Sequence, residues 1–253
     1  MKRHVVSYPK AGWTWIHDIM TQLGLHRRNR AESMKRQFVS YPKSGRTWIR
    51  YILTQLDLDR QIQFHHDSFE FSDGAKPAHD FDVDRRLQQY SKVEKLVYLE
   101  RDPRDVMVSL YFQVTGRFRD FFGYEESISE FIRDDYFGAQ HLKHFRQMWM
   151  EISARLGFLT VSYEECHHDM EGTLRKLMAY YGLDVNPSRL SEAIANAEFN
   201  NMQRLEQSES LPHPWMKPRN GSPKVRQGKV GGFRDALCEE DITYLNTLFV
   251  LPH

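Results

Sequence analysis

A β-favouring run at residues 38–41, a glycine turn at 42–46 and an amphipathic run from 47 to 56 follow one another, and this order constrains the fold more than any other feature of the chain. A loop between a strand and a helix N-terminus directs backbone N–H groups and the positive end of the helix dipole to one point. The sequence therefore predicts an α/β unit with an anion cradle, to which Lys43 and Arg46 add positive charge. Taken alone, such a turn is more often a turn with no ligand.

The same element occurs twice. Residues 1–27 match residues 34–60 at a constant offset of 33, and 18 of the 27 pairs are identical. Two copies are too few for a solenoid, which needs at least about three repeats. We therefore interpret residues 1–33 as a duplicated strand-loop-helix segment and residues 34–253 as a single domain.

The duplication leaves two candidates for the working loop. If the first copy, with Lys10, formed the cradle, the second copy would insert an extra strand and helix before the next strand of the sheet. Using the second copy, with Lys43, needs no insertion, and short connections are the rule in such folds. We expect the second copy to form the site and the first to be an appendage.

Composition limits the class of protein. With 40% apolar and 27% charged residues the chain can bury a core, and 35 basic against 34 acidic side chains leave no global field for nucleic acid. Its two cysteines cannot form a disulfide framework or a four-thiolate zinc site, so we predict a cytoplasmic protein. Neither an apolar run of about 18 residues nor a secretory leader is evident, so neither a membrane span nor secretion is expected.

Two further segments have the character of anion sites. After the β-rich residues 95–99, Asp102 can cap a helix that begins at Pro103, with Arg101 beside its positive end. Near the C-terminus, an eighteen-residue stretch without acids holds Lys217, Arg219, Lys224, Arg226, Lys229 and Arg234. By themselves these patterns are as well explained by a capped helix with surface ion pairs and by a solvated basic loop.

Together the motifs resemble the cytosolic-type sulfotransferases, which use 3'-phosphoadenosine 5'-phosphosulfate (PAPS). PKSGRTW at residues 42–48 resembles their phosphosulfate-binding loop, RDPRDVMVSLY at 101–111 their 3'-phosphate motif, and KVRQGKVGGF at 224–233 their closing RKGxxGDWK loop. YEE at 163–165 and FNNM at 199–202 resemble the segments near the adenine. The resemblance implies a single α/β domain in which a central parallel sheet is flanked by helices and a P-loop-like nucleotide site crosses the strand ends.

The resemblance also implies roles for individual residues. Lys43 reaches the oxygen between phosphate and sulfate, and Arg104 lies at the surface. The implied donor-binding residues are Ser44, Gly45, Arg46 and Thr47 at the 5'-phosphate, Arg101, Ser109, Arg226, Gln227 and Gly228 at the 3'-phosphate, and Trp48, Tyr163, Phe199 and Met202 at the adenine. Gln227 stands where the family has Lys, and Gly232-Phe233 replaces Asp-Trp. A second cationic contact at the 3'-phosphate is therefore in doubt.

The acceptor hydroxyl needs a base, and histidine suits that role near neutral pH. His66 follows a predicted strand at residues 61–64, beside the cradle, whereas His79 follows a Lys-Pro-Ala stretch with no strand context. We prefer His66 and keep His79 as the alternative. Cys166, His167, His168 and Asp169 resemble metal ligands, but adjacent side chains rarely reach one ion, and a solvated helix start is expected there.

The function that the resemblance implies is an enzyme that moves a sulfuryl group from PAPS to a hydroxyl of a small or lipid-like acceptor, leaves PAP as product and requires no metal. A P-loop nucleotide kinase is the alternative enzyme, although the GxxxxGK[ST] loop is missing. A nucleotide-binding protein that has lost catalysis is a third reading, motivated by the duplication. Aromatic residues between 112 and 124 are expected either to flank the acceptor or to fill the core. The sequence does not indicate an oligomeric state.

Overall fold

A computed structural model describes residues 35–71, 79–208, 217–224, 226 and 228–251. The duplicated segment at residues 1–33 lies outside the described residues, as does Gln227. The division of the chain at residue 33 and the contact predicted for Gln227 therefore stay predictions.

The centre of the fold is a four-stranded parallel sheet with the order β2-β1-β3-β4. Its strands are β1 (Arg36–Ser40), β2 (Gln63–His65), β3 (Lys95–Glu100) and β4 (Leu159–Ser162). In β1 and β3 almost every side chain is buried, as expected for parallel strands covered on both faces. The predicted parallel sheet is confirmed, although β2 begins two residues later than the strand predicted at residue 61.

Helices connect these strands and complete the domain. They are α1 (Arg46–Gln55), α2 (Val83–Tyr90), α3 (Pro103–Phe112), α4 (Arg119–Phe122), α5 (Ile128–Arg133), α6 (Ala139–Leu156), α7 (Tyr163–His168), α8 (Met170–Tyr181), α9 (Pro187–Asn196), α10 (Phe199–Gln207) and α11 (Glu239–Phe249). A π-helical turn (Gln113–Arg117) continues α3, and 3-10 turns lie at Asp59–Gln61 and Gly232–Asp235. None of the described helices is long and apolar enough to cross a membrane.

Alternate residues of the strands face two separate cores. Val39 and Tyr98 pack with α6 residues such as Phe145, whereas Phe38 and Leu99 pack on the opposite face with α1 and α8. Because successive side chains of a strand point to opposite sides, each buried strand joins both helical layers to the sheet. The expected arrangement, with helices on both faces of the sheet, is confirmed.

The topology places a switch point between β1 and β3. From β1 the chain passes to β2 on one side, and it then returns to β3 on the other side of β1. In open parallel sheets, ligands bind in the crevice outside the carboxyl ends of strands at such a point. The loop with Lys43 follows β1, and Arg101 follows β3, so both belong to this crevice.

Candidate active site

A cavity of about 850 Å³ opens at the carboxyl ends of β1 and β3. Its walls come from the β1–α1 loop, the β3–α3 junction, the π-helical turn, α7, α10 and the segment after residue 217. Segments that are far apart in the sequence therefore meet at the switch point. Gln227 aside, every predicted donor-binding residue except Ser44 lies in the lining, and Ser44, the residue after Lys43, is buried.

The β1–α1 loop is shaped by backbone conformations that few residues adopt. Lys43 has φ 73° and Gly45, the N-cap of α1, has φ 98°. A Cβ on Gly45 would lie 2.4 Å from the Tyr163 ring, so only glycine fits the turn. No side chain caps α1, which leaves its first N–H groups, including those of Arg46 and Thr47, open to an anion.

The Lys43 side chain lies in a strongly positive environment. Burial of the ammonium group lowers its pKa well below the ordinary value, and the charges of Lys224, Arg117, Arg101 and Arg226 lower it further. Positive charges in one cavity repel each other, so an anion that binds between them is stabilised by all of them.

Arg101 connects three segments of the cavity wall. Its Nη1 donates to the Lys43 carbonyl at 3.1 Å, and its Nη2 donates to the Lys229 carbonyl at 3.3 Å. The guanidinium carbon lies 4.1 Å from the centre of the Tyr163 ring. Directly after it, Asp102 accepts from the Arg104 backbone N–H and caps α3, as predicted. The cap fixes the direction in which Arg101 leaves the strand.

The C-terminal loop closes the cavity from the other side. The Arg226 guanidinium lies 4.5 Å from the centre of the Phe112 ring, and a Cβ on Gly228 would lie 2.4 Å from the Phe199 ring. Asp105 accepts hydrogen bonds from the backbone N–H groups of Gly231 and Phe233, at 2.8 and 2.9 Å. Buried Phe233 is thus held in place although it departs from the family's Asp-Trp pattern.

Aromatic and apolar side chains form one end of the cavity. Trp48 donates from Nε1 to the Ala197 carbonyl at 2.8 Å, and its ring centre lies 5.7 Å from that of Tyr163. Phe199 and Met202, both on α10, line the same region. Rings gathered in this way suit a flat heteroaromatic group.

His167 belongs to this aromatic end, and sequence reasoning missed it. Its ring centre lies 4.9 Å from that of Trp48 and 4.7 Å from that of Tyr163. The solvated helix start predicted here is wrong for Cys166, which is buried within α7. His167 is exposed, as predicted, but it also lines the cavity. The spacing of the sequence could have indicated this position, because Cys166 and His167 follow Tyr163 by three and four residues and so lie on the same side of a helix.

His66 lies directly after β2, at the edge of the cavity. Its Nδ1 is 2.6 Å from the Ser40 carbonyl oxygen. A carbonyl only accepts, so Nδ1 carries the proton of the neutral ring and Nε2 keeps its lone pair. Burial and then the charge of Arg46 lower the pKa of His66 well below the usual value, so the ring is neutral at pH 7.

The alternative base, His79, has different surroundings. It is exposed and is not part of the cavity lining. Its ring centre lies 4.6 Å from that of His141 and 5.7 Å from that of Tyr136. Residues 72–78, which precede it, lie outside the described residues. The structure thus brings His66 to the cradle and does not bring His79 there.

Arg104 departs from its implied surface position. Its guanidinium donates to both carboxylate oxygens of Asp102 and to the Asn246 side chain of α11. It also stacks on Phe233 with 4.2 Å between the guanidinium carbon and the ring centre. The side chain is only 12% exposed, because α11 and the 3-10 turn cover it.

Several polar atoms in the cavity wall lack partners. Within the part of the chain that the structure describes, Arg46 Nη1, Arg101 Nε and Arg117 Nε are shielded from solvent and make no hydrogen bond. Buried donors without acceptors are costly, so these atoms are suited to an anionic ligand. Among the described residues no group of three or more His, Cys, Asp or Glu side chains is placed to hold a metal ion.

A glycine turn at the switch point of a parallel sheet, with convergent cations around it, defines an α/β protein with a P-loop-like anion cradle. The sequence profile described as "Sulfotransferase domain" matches residues 3–250, nearly the whole chain. The chain therefore belongs to the sulfotransferase domain family.

Individual relatives agree with this assignment. Human Sulfotransferase 2B1 is 25% identical over 150 residues, which cover 58% of this chain and 40% of the relative. Human Sulfotransferase 2A1 is 29% identical over 121 residues, which cover 47% of this chain and 42% of the relative. The matches thus span about two fifths of the length of these relatives.

Solved structures show the same fold. Mouse sulfotransferase SULT7A1 complexed with PAP has a TM-score of 0.59 and 19% identity, over 85% of this chain and 82% of that chain. Retinol dehydratase in complex with androsterone and inactive cofactor PAP has a TM-score of 0.56 and 17% identity, over 85% and 80% of the two chains. The expected architecture is therefore confirmed by independent structures.

Proposed function

We propose that this protein transfers a sulfuryl group from PAPS to a hydroxyl of a small or lipid-like acceptor. The observation that carries the proposal is the position of Arg101, which donates to the carbonyls of Lys43 and Lys229. These hydrogen bonds join the three segments that resemble the phosphosulfate loop, the 3'-phosphate motif and the closing loop around one cavity. Family membership and the neighbours that bind PAP support the same activity.

The residues present fit such a donor. The open N–H groups of α1, with Thr47 and Lys43, suit the 5'-phosphosulfate, and Arg101, Ser109 and Arg226 suit the 3'-phosphate. The unpartnered Nε of Arg101 favours an anion at that end. The aromatic end, formed by Trp48, Tyr163, Phe199 and Met202, suits the adenine, and the donor supplies the sulfuryl group.

Lys43 would stabilise negative charge that develops on the leaving oxygen. Its ammonium is desolvated and surrounded by cations, so its proton is weakly held before an anion arrives. A bound phosphosulfate supplies the missing negative charge and keeps Lys43 protonated. Preorganised charge of this kind acts where charge forms in the transition state.

His66 would accept the proton of the acceptor hydroxyl at Nε2. The Ser40 carbonyl holds Nδ1–H and so fixes both the tautomer and the ring orientation. The charge of Arg46 lowers the basicity of the ring, and an anion bound near Arg46 offsets this effect. General-base help of this kind contributes about 10² to 10⁴ in rate. His79 stays the second candidate for the base.

The family match favours sulfuryl transfer over the kinase alternative. An experiment decides whether the protein binds the nucleotide but has lost catalysis.

Full-length protein is incubated with radiolabelled PAPS and a panel of phenols, steroid alcohols and aliphatic alcohols, and labelled product and PAP are measured. We expect transfer to at least one acceptor, with PAP released in equal amount. PAP binding without transfer to any member of the panel would support the inactive alternative. A cytoplasmic location, expected from the cysteine content, stays a prediction.

A further inference from the structure

Positively charged side chains predominate in the wall of the cavity. Among its described lining residues eight are Lys or Arg and three are Asp or Glu. Three of the cations have carboxylate partners: Arg101 faces Asp105, Arg219 pairs with Asp120, and Lys229 pairs with Asp235. The other five, which form no ion pair with a described carboxylate, are Lys43, Arg46, Arg117, Lys224 and Arg226.

The unpaired cations can be distinguished by their neighbours. Arg226 lies against Phe112, and its pKa is lowered by burial and by Arg101. Burial, then Arg117 and then Arg46 lower the pKa of Lys224 to about 8. The charges of Lys224, Arg117 and Arg226 all lower the pKa of Lys43. We call Arg46, Arg117 and Lys224 the basic cluster.

The basic cluster is fixed by the surrounding fold. Arg117 is 6% exposed and donates from Nη1 to the Lys217 carbonyl at 2.9 Å, which leaves its buried Nε without a partner. Arg219 donates to the Arg117 carbonyl at 2.8 Å and to both carboxylate oxygens of Asp120. The segment that carries Lys224 is thereby held against the π-helical turn.

Two carboxylates compensate the basic cluster only in part. Glu206 accepts from the Lys224 backbone N–H and raises the pKa values of Lys224 and Arg117. Glu70 likewise raises the pKa of Arg46. Among the described residues, Arg46 Nη1 and Arg117 Nε still have no hydrogen bond. A buried cation without a close partner is costly, and an anionic ligand removes that cost.

The basic cluster lies in the cavity that also contains the proposed base. His66, Arg46 and Lys224 all line this cavity, and the charges of Arg46 and Lys224 lower the pKa of His66. The hydroxyl must reach the same ring, since proton transfer needs hydrogen-bond contact. In the proposed donor site the 5'-phosphosulfate contacts Lys43 and the first N–H groups of α1, including that of Arg46, and the 3'-phosphate contacts Arg101, Ser109 and Arg226. The Arg46 guanidinium, whose Nη1 has no partner among the described residues, can then bind a second anion.

Building on the proposed function, we infer that the acceptor carries an anionic group of its own, a carboxylate, sulfate or phosphate, which binds the basic cluster while its hydroxyl meets His66. Phe118 lines the wall beside the basic cluster, with 5.8 Å between its ring centre and the Arg117 guanidinium carbon, and would contact the body of such an acceptor. An acidic hydroxy compound is therefore preferred over a neutral one of equal size.

The test uses three acceptors with one phenolic scaffold: 3-(4-hydroxyphenyl)propanoic acid, its neutral amide and the cationic amine tyramine. Their kcat/KM values with PAPS and their affinities for the PAP-saturated full-length protein are measured. One charged hydrogen bond corresponds to roughly tenfold or more, so the acid should exceed the amide by at least about tenfold and tyramine should be worst. Homologous sulfonate and phosphonate acceptors then show which anion is preferred.

Lys224→Gln removes one charge of the basic cluster, and Lys176→Gln removes the same charge from the surface of α8 as a matched control. The acid-to-amide ratio should fall at least about fivefold in Lys224→Gln, chiefly through KM, and stay unchanged in Lys176→Gln. Lys224→Gln should also weaken PAP, because the charge of Lys224 acts on Lys43, but by clearly less than it lowers the use of the acid, since the inferred ligand of Lys224 is the acceptor.

Three results would overturn the inference: equal use of acid and amide, an unchanged ratio in Lys224→Gln, or a loss of PAP affinity as large as the loss for the acid. The last result would assign the basic cluster to the donor. No transfer to any acceptor would instead count against the proposed function. In that case binding of acid against amide to the PAP complex still decides whether the basic cluster holds an acceptor-side anion.

Discussion

Replacing Arg101 by Gln tests the 3'-phosphate site through two ligands that differ only in that phosphate, PAP and 5'-AMP. The Arg101 guanidinium has a buried Nε without a partner, so a 3'-phosphate can gain one or two charged hydrogen bonds. Each is worth about 1.5–3 kcal/mol, which corresponds to a roughly tenfold or greater loss of PAP affinity.

Arg101 also donates to the Lys43 carbonyl, and this contact affects both ligands. A neutral hydrogen bond contributes about 1 kcal/mol, so AMP should weaken by about fivefold or less. Dividing the loss of PAP affinity by the loss of AMP affinity removes this shared effect and leaves the contribution of the 3'-phosphate. We expect PAP to weaken at least about tenfold more than AMP in calorimetric titrations at constant salt and pH 7.

Arg104→Gln is the matched control, since Arg104 contacts Asp102, Asn246 and Phe233 rather than the cavity. It should lower the melting temperature and leave the ratio of PAP to AMP affinity unchanged. Equal losses of PAP and AMP in Arg101→Gln would refute the assignment of Arg101 to the 3'-phosphate.

Three other predictions follow from the site. His66→Ala should lower kcat by about 10² or more with near-normal PAP affinity, whereas His79→Ala should keep most activity; the opposite pattern in steady-state assays would move the base to His79. Lys43→Ala should abolish transfer in the full-length protein and Lys10→Ala should change it little, and a damaging Lys10→Ala would mean that the first copy forms the site. Burial lowers the pKa of His65 to about 4, so the unfolded chain takes up the proton first and thermal stability should fall from pH 6.5 towards 4; a melting temperature that is flat or rises over that range would contradict this.

The local elements could be predicted from the sequence because their causes lie within a few residues of each other. The β-rich run before Arg101, the cap at Asp102 and the proline at the first helical position specify a strand-to-helix junction without help from the rest of the chain. The glycine turn before α1 is local in the same way. The two strand-to-helix junctions were therefore predicted correctly before any tertiary contact was known, whereas anion binding at them stays a prediction.

Only the tertiary structure decided which distant residues share a site. Lys224 belonged to a basic stretch of the sequence and Arg117 was not singled out, and only packing brings both close enough to lower the pKa of Lys43. Arg104 was placed at the surface, but α11 covers it. His167 is exposed, as predicted, but its place in the cavity wall was not foreseen. The physical reason is the distance over which each effect acts. Turns and helix caps depend on residues that are neighbours in the sequence. Burial and the Coulomb energy depend on distances in space, and these are set by the packing of segments that are far apart in the sequence.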